Sequence, residues 1–170
     1  MAKQPALRPQ DLVVALGLVL SPGQRFEALA DSVGLSLSAA HRAVGRLRRA
    51  GLLLPDARRV HRSRLVEFLI HGVRYAFPAV RGPEVPGIPT AWSAPVLEGA
   101  LPSGPPVVWP HASGRVRGES IIPLSDTAPE AARHNPQLYR LLALVDALRL
   151  GQAREKQVAG LILKQDLASA

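Results

Sequence analysis

The sequence predicts a mainly α-helical protein with a small β component, and three observations support this fold class. Apolar residues recur at intervals of three and four in several stretches, which is the spacing of one face of an α-helix. Aromatic residues make up 4% of the chain, which argues against a large β-sandwich core. The 170 residues also include 16 prolines and 14 glycines, a content that favours helices joined by turn-rich connections.

Residues 1–76 are predicted to form four short helices, at about 9–20, 26–33, 36–50 and 64–71. Pro9 suits the first position of a helix, where its missing N–H costs no hydrogen bond. Ser36 and Ser63 suit the N-caps of the third and fourth helices. Helix ends are expected at three glycines, because glycine readily adopts the left-handed conformation that follows a helix: Gly34, Gly51 and Gly72. Two short strands, 52–54 and 60–61, are expected to make a small hairpin between the last two helices.

Residues 77–125 are predicted to form a Pro/Gly-rich arm that packs on a helical body. Ten of the 16 prolines lie in this segment, and proline removes the N–H donors that regular elements need. Long strands or helices are therefore not expected here. Residues 107–109 and 115–116 can flank a turn and make one small hairpin. Trp92 and Trp109 indicate that the arm is not a free linker, because each indole favours an apolar partner.

Residues 126–170 are predicted to form a helical hairpin. Asn135-Pro136 is a strong start signal for a helix that ends at Gly151, and a last helix follows over about 152–167. The first of these helices carries an apolar stripe: Leu138, Leu141, Leu142, Val145 and Leu148. The stripe is either the seam of a homodimer formed through about 135–167 or part of the core of a single chain. The segment is therefore interpreted as a dimerisation or partner-binding region.

Positive charge is concentrated in the first half of the chain. Residues 1–82 carry 13 basic and 5 acidic side chains, whereas residues 83–170 carry eight of each. Eight arginines lie between positions 42 and 64, against one acid: Arg42, Arg46, Arg48, Arg49, Arg58, Arg59, Arg62 and Arg64. Such a localised excess favours a polyanionic partner, although a solvated basic surface would have the same composition.

The segment from Phe26 to Leu47 has the layout of a helix-turn-helix. Ala30 is small where two helices must cross, and Gly34 supplies a tight turn four residues later. The following helix has an inward apolar face made by Ala40, Val44 and Leu47. Its outward face is polar and basic: Ser38, Ala39, His41, Arg42, Gly45 and Arg46.

Over about residues 8–72 the chain resembles the bacterial-type winged helix-turn-helix transcription regulators of the MarR, ArsR and Lrp families. The matching residues are Leu29-Ala30, Gly34-Leu35-Ser36, Arg46 and Arg48 around Leu47, and Ala50-Gly51-Leu52-Leu53. The resemblance implies an N-terminal winged helix-turn-helix domain at 1–76, with a small β-hairpin as its wing. Two features depart from the pattern: Arg25 stands where a capping serine, threonine or aspartate is usual, and the wing is very short.

The resemblance further implies that the helix at about 36–50 enters the major groove of double-stranded DNA. Arg42 is the expected base-reading residue, because a guanidinium fits guanine O6 and N7, and Ser38 and His41 share its surface. The predicted DNA-binding residues are Ser36, Ser38, Ala39, His41, Arg42, Arg46, Arg48, Arg49, Arg58, Arg59 and Arg62. Among these, Arg46, Arg48 and Arg49 are expected on phosphates, and Arg58, Arg59 and Arg62 are expected as wing contacts. Arg48 and Arg49 at the end of the helix can also simply favour its dipole.

The sequence therefore predicts a dimeric, sequence-specific transcription regulator. The alternative is a protein-interaction module, such as an antitoxin-like or defence-system partner, whose winged helix serves autoregulation or protein contact. The chain has no cysteine, its five histidines show no metal-ligand spacing, and its acids form no pair suited to acid/base chemistry. No enzyme, metal or cofactor is therefore predicted. The apolar run from Leu12 to Leu20 is too short to span a membrane and lacks a signal-peptide cleavage pattern, which favours a buried helix in a cytoplasmic protein.

Overall fold

The computed structural model describes residues 6–101 and 104–170, and within these ranges the chain forms eight α-helices and one three-stranded sheet. The helices are α1 (Pro9–Leu20), α2 (Phe26–Val33), α3 (Leu37–Arg49), α4 (Arg62–His71), α5 (Val73–Ala76), α6 (Ala128–His134), α7 (Pro136–Leu150) and α8 (Ala153–Ser169). The strands are β1 (Arg81–Pro89), β2 (Val107–Pro110) and β3 (Val116–Ile121). One apolar core runs from α1 to α8, so the three segments of the sequence share it. No helix in the described ranges is both long and apolar enough to cross a bilayer.

The first three helices pack closely, and α1 is buried on all sides as a result. Its residues from Asp11 to Val19 are buried, and a Cβ at Gly17 would lie 2.8 Å from a methyl group of Val33 on α2. Gly34 makes the turn between α2 and α3 with φ +68°, and the Ser36 hydroxyl caps α3 by accepting a backbone hydrogen bond of 3.2 Å. The predicted start of α1, the cap of α3 and the role of Gly34 are confirmed.

The hairpin after α3 is reduced to one β-bridge, between Leu53 and Val60. Two backbone hydrogen bonds of 2.8 and 2.9 Å flank this bridge. The hairpin lies where the sequence predicts it, but it contains almost no strand.

The start of α4 differs from the prediction. The helix begins at Arg62 with His61 in the N-cap position, and no side chain caps it. Ser63 does not cap because it lies inside the first turn, where its hydroxyl contacts His61 Nδ1 at 3.1 Å. Gly72 is the C-cap of α4, as expected, but its φ is −117° rather than left-handed, and α5 follows directly. Close packing accounts for this glycine, because a Cβ there would lie 2.9 Å from the ring of Phe68.

The expectation of one small hairpin in this segment is wrong, because its three strands, β1, β2 and β3, form one sheet. Strand β1 is nine residues long and pairs antiparallel with both β2 and β3. Strands β2 and β3 are parallel to each other, so they do not form the predicted hairpin. Gly87 is opposite both Pro110 and Val116. The strands approach so closely there that a Cβ on Gly87 would clash with the backbone carbonyl oxygen of Trp109.

The prolines of β1 are compatible with this sheet because their carbonyl groups remain acceptors. The carbonyl oxygen of Pro86 accepts from His111 N at 3.3 Å, and that of Pro83 accepts from the Ser120 hydroxyl at 2.7 Å. Proline lacks only the N–H, so strand positions whose nitrogen is not needed in the ladder tolerate it. An expectation based on proline density alone therefore underestimates the strand content of this segment.

Helix α7 is the central helix of the protein. Its residues from Leu141 to Leu150 are all buried, and so is Leu138. It packs against α1, α4, α5, α6 and α8 as well as the segment that follows β1. The apolar stripe of α7 is therefore part of the core of one chain, and the predicted homodimer seam is wrong for this helix. On α8, Leu161 is 56% exposed, so the outer face of that helix remains open.

A buried polar network fastens the sheet to α7. The Asp146 carboxylate accepts hydrogen bonds from Thr90 Oγ1, Trp109 Nε1 and Arg149 Nη1, each at 2.7 Å. Burial raises the pKa of Asp146, while Arg149 and the other donors act in the opposite direction. The Arg149 guanidinium also donates to the carbonyls of residues 77, 78 and 122, at both ends of the sheet segment. Trp109 thus finds a buried site, as expected, and gains a carboxylate partner.

Candidate nucleic-acid interface

The solvent side of α3 carries five of the 11 residues predicted to bind DNA. The buried side of this helix consists of Ala40, Ala43, Val44 and Leu47. On the opposite side, five predicted residues are exposed: Ser38, His41, Arg42, Arg48 and Arg49. This group is called the α3 face below. Its side chains project from a helix whose other side is fixed in the core, so their spacing is set by a rigid element.

The N-terminal end of α3 is occupied by its own capping interactions. Ser36 uses its hydroxyl as the cap, and the hydroxyl of Ser38 lies 3.3 Å from it. Ala39 is partly buried. Leu37 was not singled out from the sequence, yet it is 41% exposed beside these serines. Its spacing from Ala40 would place it in the buried stripe, but Leu37 is the first residue of α3 and remains exposed.

Arg46 is not part of the α3 face. Its guanidinium forms a two-pronged ion pair with Asp11 on α1, with Nε–Oδ2 at 2.8 Å and Nη2–Oδ1 at 2.7 Å. The Asp11 side chain is 0% exposed and that of Arg46 is 11% exposed. The hydrogen bond to Asp11 raises the pKa of Arg46. The interpretation of Arg46 as a phosphate contact is therefore corrected: this arginine holds α3 against α1.

The three arginines predicted as wing contacts have different environments. Arg59 is exposed, as a contact would require. Arg62 donates to the carbonyl of Leu167 at 2.7 Å, which ties the start of α4 to the end of α8. Arg58 is partly buried, and its Nη1 donates to the carbonyl of Gln24 at 2.8 Å. Arg62 is therefore committed to an intramolecular bond, and Arg58 is held against the segment before α2.

Phe26, at the start of α2, joins the hairpin to α3. The ring of His41 stacks on it, with centroids 3.6 Å apart and an angle of 22° between the planes. The guanidinium carbon of Arg58 lies 4.3 Å from the centroid of the same ring. Phe26 is the first residue of the predicted helix-turn-helix segment, and no local pattern indicates that it would contact residues 15 and 32 positions further on.

A second polar cluster links the sheet to α6. Glu130 contacts His134 Nε2 at 2.9 Å, Arg133 Nη1 at 3.0 Å and His111 Nε2 at 3.0 Å. Hydrogen bonds from His134, Arg133 and His111 lower the pKa of Glu130 to about 2. The carboxylate therefore stays ionised under ordinary conditions. Among the described residues, no three histidine, cysteine, aspartate or glutamate side chains are grouped to hold a metal ion.

The chain was also compared with protein-family models, with curated proteins and with solved structures, and none of them matches it.

Proposed function

We propose that this protein binds double-stranded DNA through the α3 face and acts as a sequence-specific transcription regulator. The observation that carries the proposal is the division of α3 into two sides. One side is anchored in the core, and the other presents Arg42, Arg48 and Arg49 to solvent. A helix of about 10–12 Å diameter fits a major groove about 12 Å wide. A helix that lies in the major groove places its exposed side chains against base edges and phosphates at the same time.

The order of elements in the first part of the chain supports a winged helix-turn-helix. Helices α1, α2 and α3 are followed by the hairpin bridged at Leu53 and Val60. The left-handed turn at Gly34 joins the two helices that a helix-turn-helix requires. In this proposal α3 is the recognition helix, and Arg59 on the short wing contacts the sugar–phosphate backbone.

In this proposal the arginines of α3 have two roles. Arg42 lies next to His41 on the exposed side of α3 and reads a base pair, since a guanidinium can bond guanine O6 and N7 together. Arg48 and Arg49 lie at the C-terminal end of α3 and neutralise phosphates. The formal net charge of +8 adds a general attraction to the polyanion.

Selection of bound duplexes from a random library tests this function directly. The wild-type protein is expected to enrich one motif. An Arg42→Ala variant is expected to lose about 1–3 kcal/mol of discrimination at the base pair that Arg42 reads. Arg154→Ala serves as the control, because Arg154 is an exposed arginine on α8 and its loss removes the same charge. Failure of the wild-type protein to enrich any motif would contradict the proposal and favour the protein-interaction alternative.

A further inference from the structure

Arg58, Phe26 and His41 form a three-layer stack at the edge of the α3 face. The His41 ring centroid is 3.6 Å from that of Phe26, and the Arg58 guanidinium carbon is 4.3 Å from it. At these distances the imidazole and the guanidinium would overlap if both lay on the same face of the Phe26 ring. Phe26 is therefore sandwiched, with the imidazole on one face and the guanidinium on the other.

The two outer groups of this stack, the His41 imidazole and the Arg58 guanidinium, differ in how firmly they are held. The imidazole of His41 is stacked almost parallel to Phe26, but the residue as a whole is exposed. Arg58 is fixed from two sides, because it covers the ring and donates to the carbonyl of Gln24 at 2.8 Å. Gln24 in turn donates to the carbonyl of Gly17 on α1 at 3.4 Å. The stack therefore joins the hairpin, α2 and α3 into one surface.

We propose that Phe26 and Arg58 are positioning residues that hold the His41 imidazole in the orientation that reads a base edge. This inference rests on the proposed DNA-binding function and deepens it. A side chain that is ordered before binding avoids the entropic cost that a mobile one meets on immobilisation. The Arg58 cation over the Phe26 ring is attracted by the negative face of the ring, which biases the cluster towards one arrangement.

The inference assigns different tasks to two neighbouring arginines of the hairpin. Arg58 uses its guanidinium inside the protein, whereas Arg59 is exposed and contacts a phosphate. A phosphate contact contributes about 0.9 to the slope of log affinity against log salt concentration, and a positioning residue contributes nothing to it. The two roles therefore differ in a measurable quantity.

The test uses the full chain and the DNA motif that it selects, with base-substituted duplexes at several salt concentrations. Phe26→Leu and Arg58→Ala are expected to lower discrimination about tenfold at the same base pair as His41→Ala, with an unchanged salt slope. Phe26→Tyr keeps the stacked ring and is expected to keep the discrimination. Arg59→Ala is expected to lower the slope by about 0.9 without changing base preference. Thermal unfolding establishes that each variant is folded at the assay temperature.

Three results would overturn the inference. In the first, Arg58→Ala lowers the salt slope and leaves base preference intact, as a phosphate contact would. In the second, Phe26→Leu affects all base pairs equally, as a general loss of structure would. In the third, Phe26→Leu and Arg58→Ala leave base discrimination at the level of the wild type. A wild-type protein that selects no motif would instead defeat the proposed function, and the inference would fall with it.

Discussion

An Asp146→Ala variant is expected to lose about 3–5 kcal/mol of unfolding free energy, because it leaves the buried Arg149 without a counter-charge. The Asp146 and Arg149 side chains are 2% and 4% exposed. Asp146 also accepts from Thr90 and Trp109, so the substitution removes three hydrogen bonds at once. Urea denaturation followed by circular dichroism measures the loss.

Asp166→Ala is the matched control for this experiment. Asp166 also pairs with an arginine, Arg140, but both partners lie nearer the surface, with side chains 22% and 46% exposed. Removing it is expected to cost within about 1 kcal/mol, since exposed ion pairs contribute little. Combining Asp146→Leu with Arg149→Met removes both buried charges and is expected to recover part of the loss. Equal losses for the Asp146 and Asp166 variants would contradict the central role of the buried network.

An Arg46→Ala variant is expected to lose a similar amount, about 3–5 kcal/mol, because the Asp11 carboxylate is then left buried and unpaired. Asp11 accepts both prongs of the Arg46 guanidinium and also the backbone N–H of Arg8, so it anchors the start of α1 as well as α3. The same denaturation experiment measures this effect.

Arg42→Ala is the control on the same helix. Arg42 is exposed, and its loss is expected to change stability within about 0.5 kcal/mol. The two variants therefore separate a structural arginine from a proposed functional one within a single turn of α3. A stability for Arg46→Ala close to that of Arg42→Ala would show that the Asp11–Arg46 pair does not hold α3 to α1.

Much of the first half could be predicted from the sequence because its signals are local. Pro9 at the first position of α1, the cap at Ser36 and the left-handed Gly34 each act within one helical turn. Such local signals determine where α1 and α3 begin and where α2 ends. They also orient α3, since its apolar residues recur at helical spacing and its arginines occupy the other side.

The features that sequence reasoning missed depend on residues far apart in the chain. The ion pair that removes Arg46 from the α3 face joins positions 35 residues apart. The bond that occupies Arg62 reaches Leu167, 105 residues further on. The sheet depends on register between β1 and strands that begin near residues 107 and 116. No local pattern encodes these pairings, so proline content led to the wrong expectation for the strands, and the apolar stripe of α7 left core and dimer seam as alternatives.

One clue to Arg46 was nevertheless present in the sequence. Asp11 stands directly before an apolar run that is buried from Leu12 to Val19. A carboxylate in such a place is stable only with a cationic or multiply donating partner. The arginines of α3 are candidates for that partner.

The central claim, that the α3 face binds the phosphates of DNA, is tested most directly by the salt dependence of binding to a duplex of arbitrary sequence. Fluorescence anisotropy gives the affinity of the wild-type protein, of Arg48→Ala/Arg49→Ala and of the charge-matched control Arg154→Ala/Lys164→Ala on α8. The account predicts that the α3 variant reduces the slope of log affinity against log salt by about 1.8, and that the control leaves it unchanged. Equal slopes for all three proteins would contradict it.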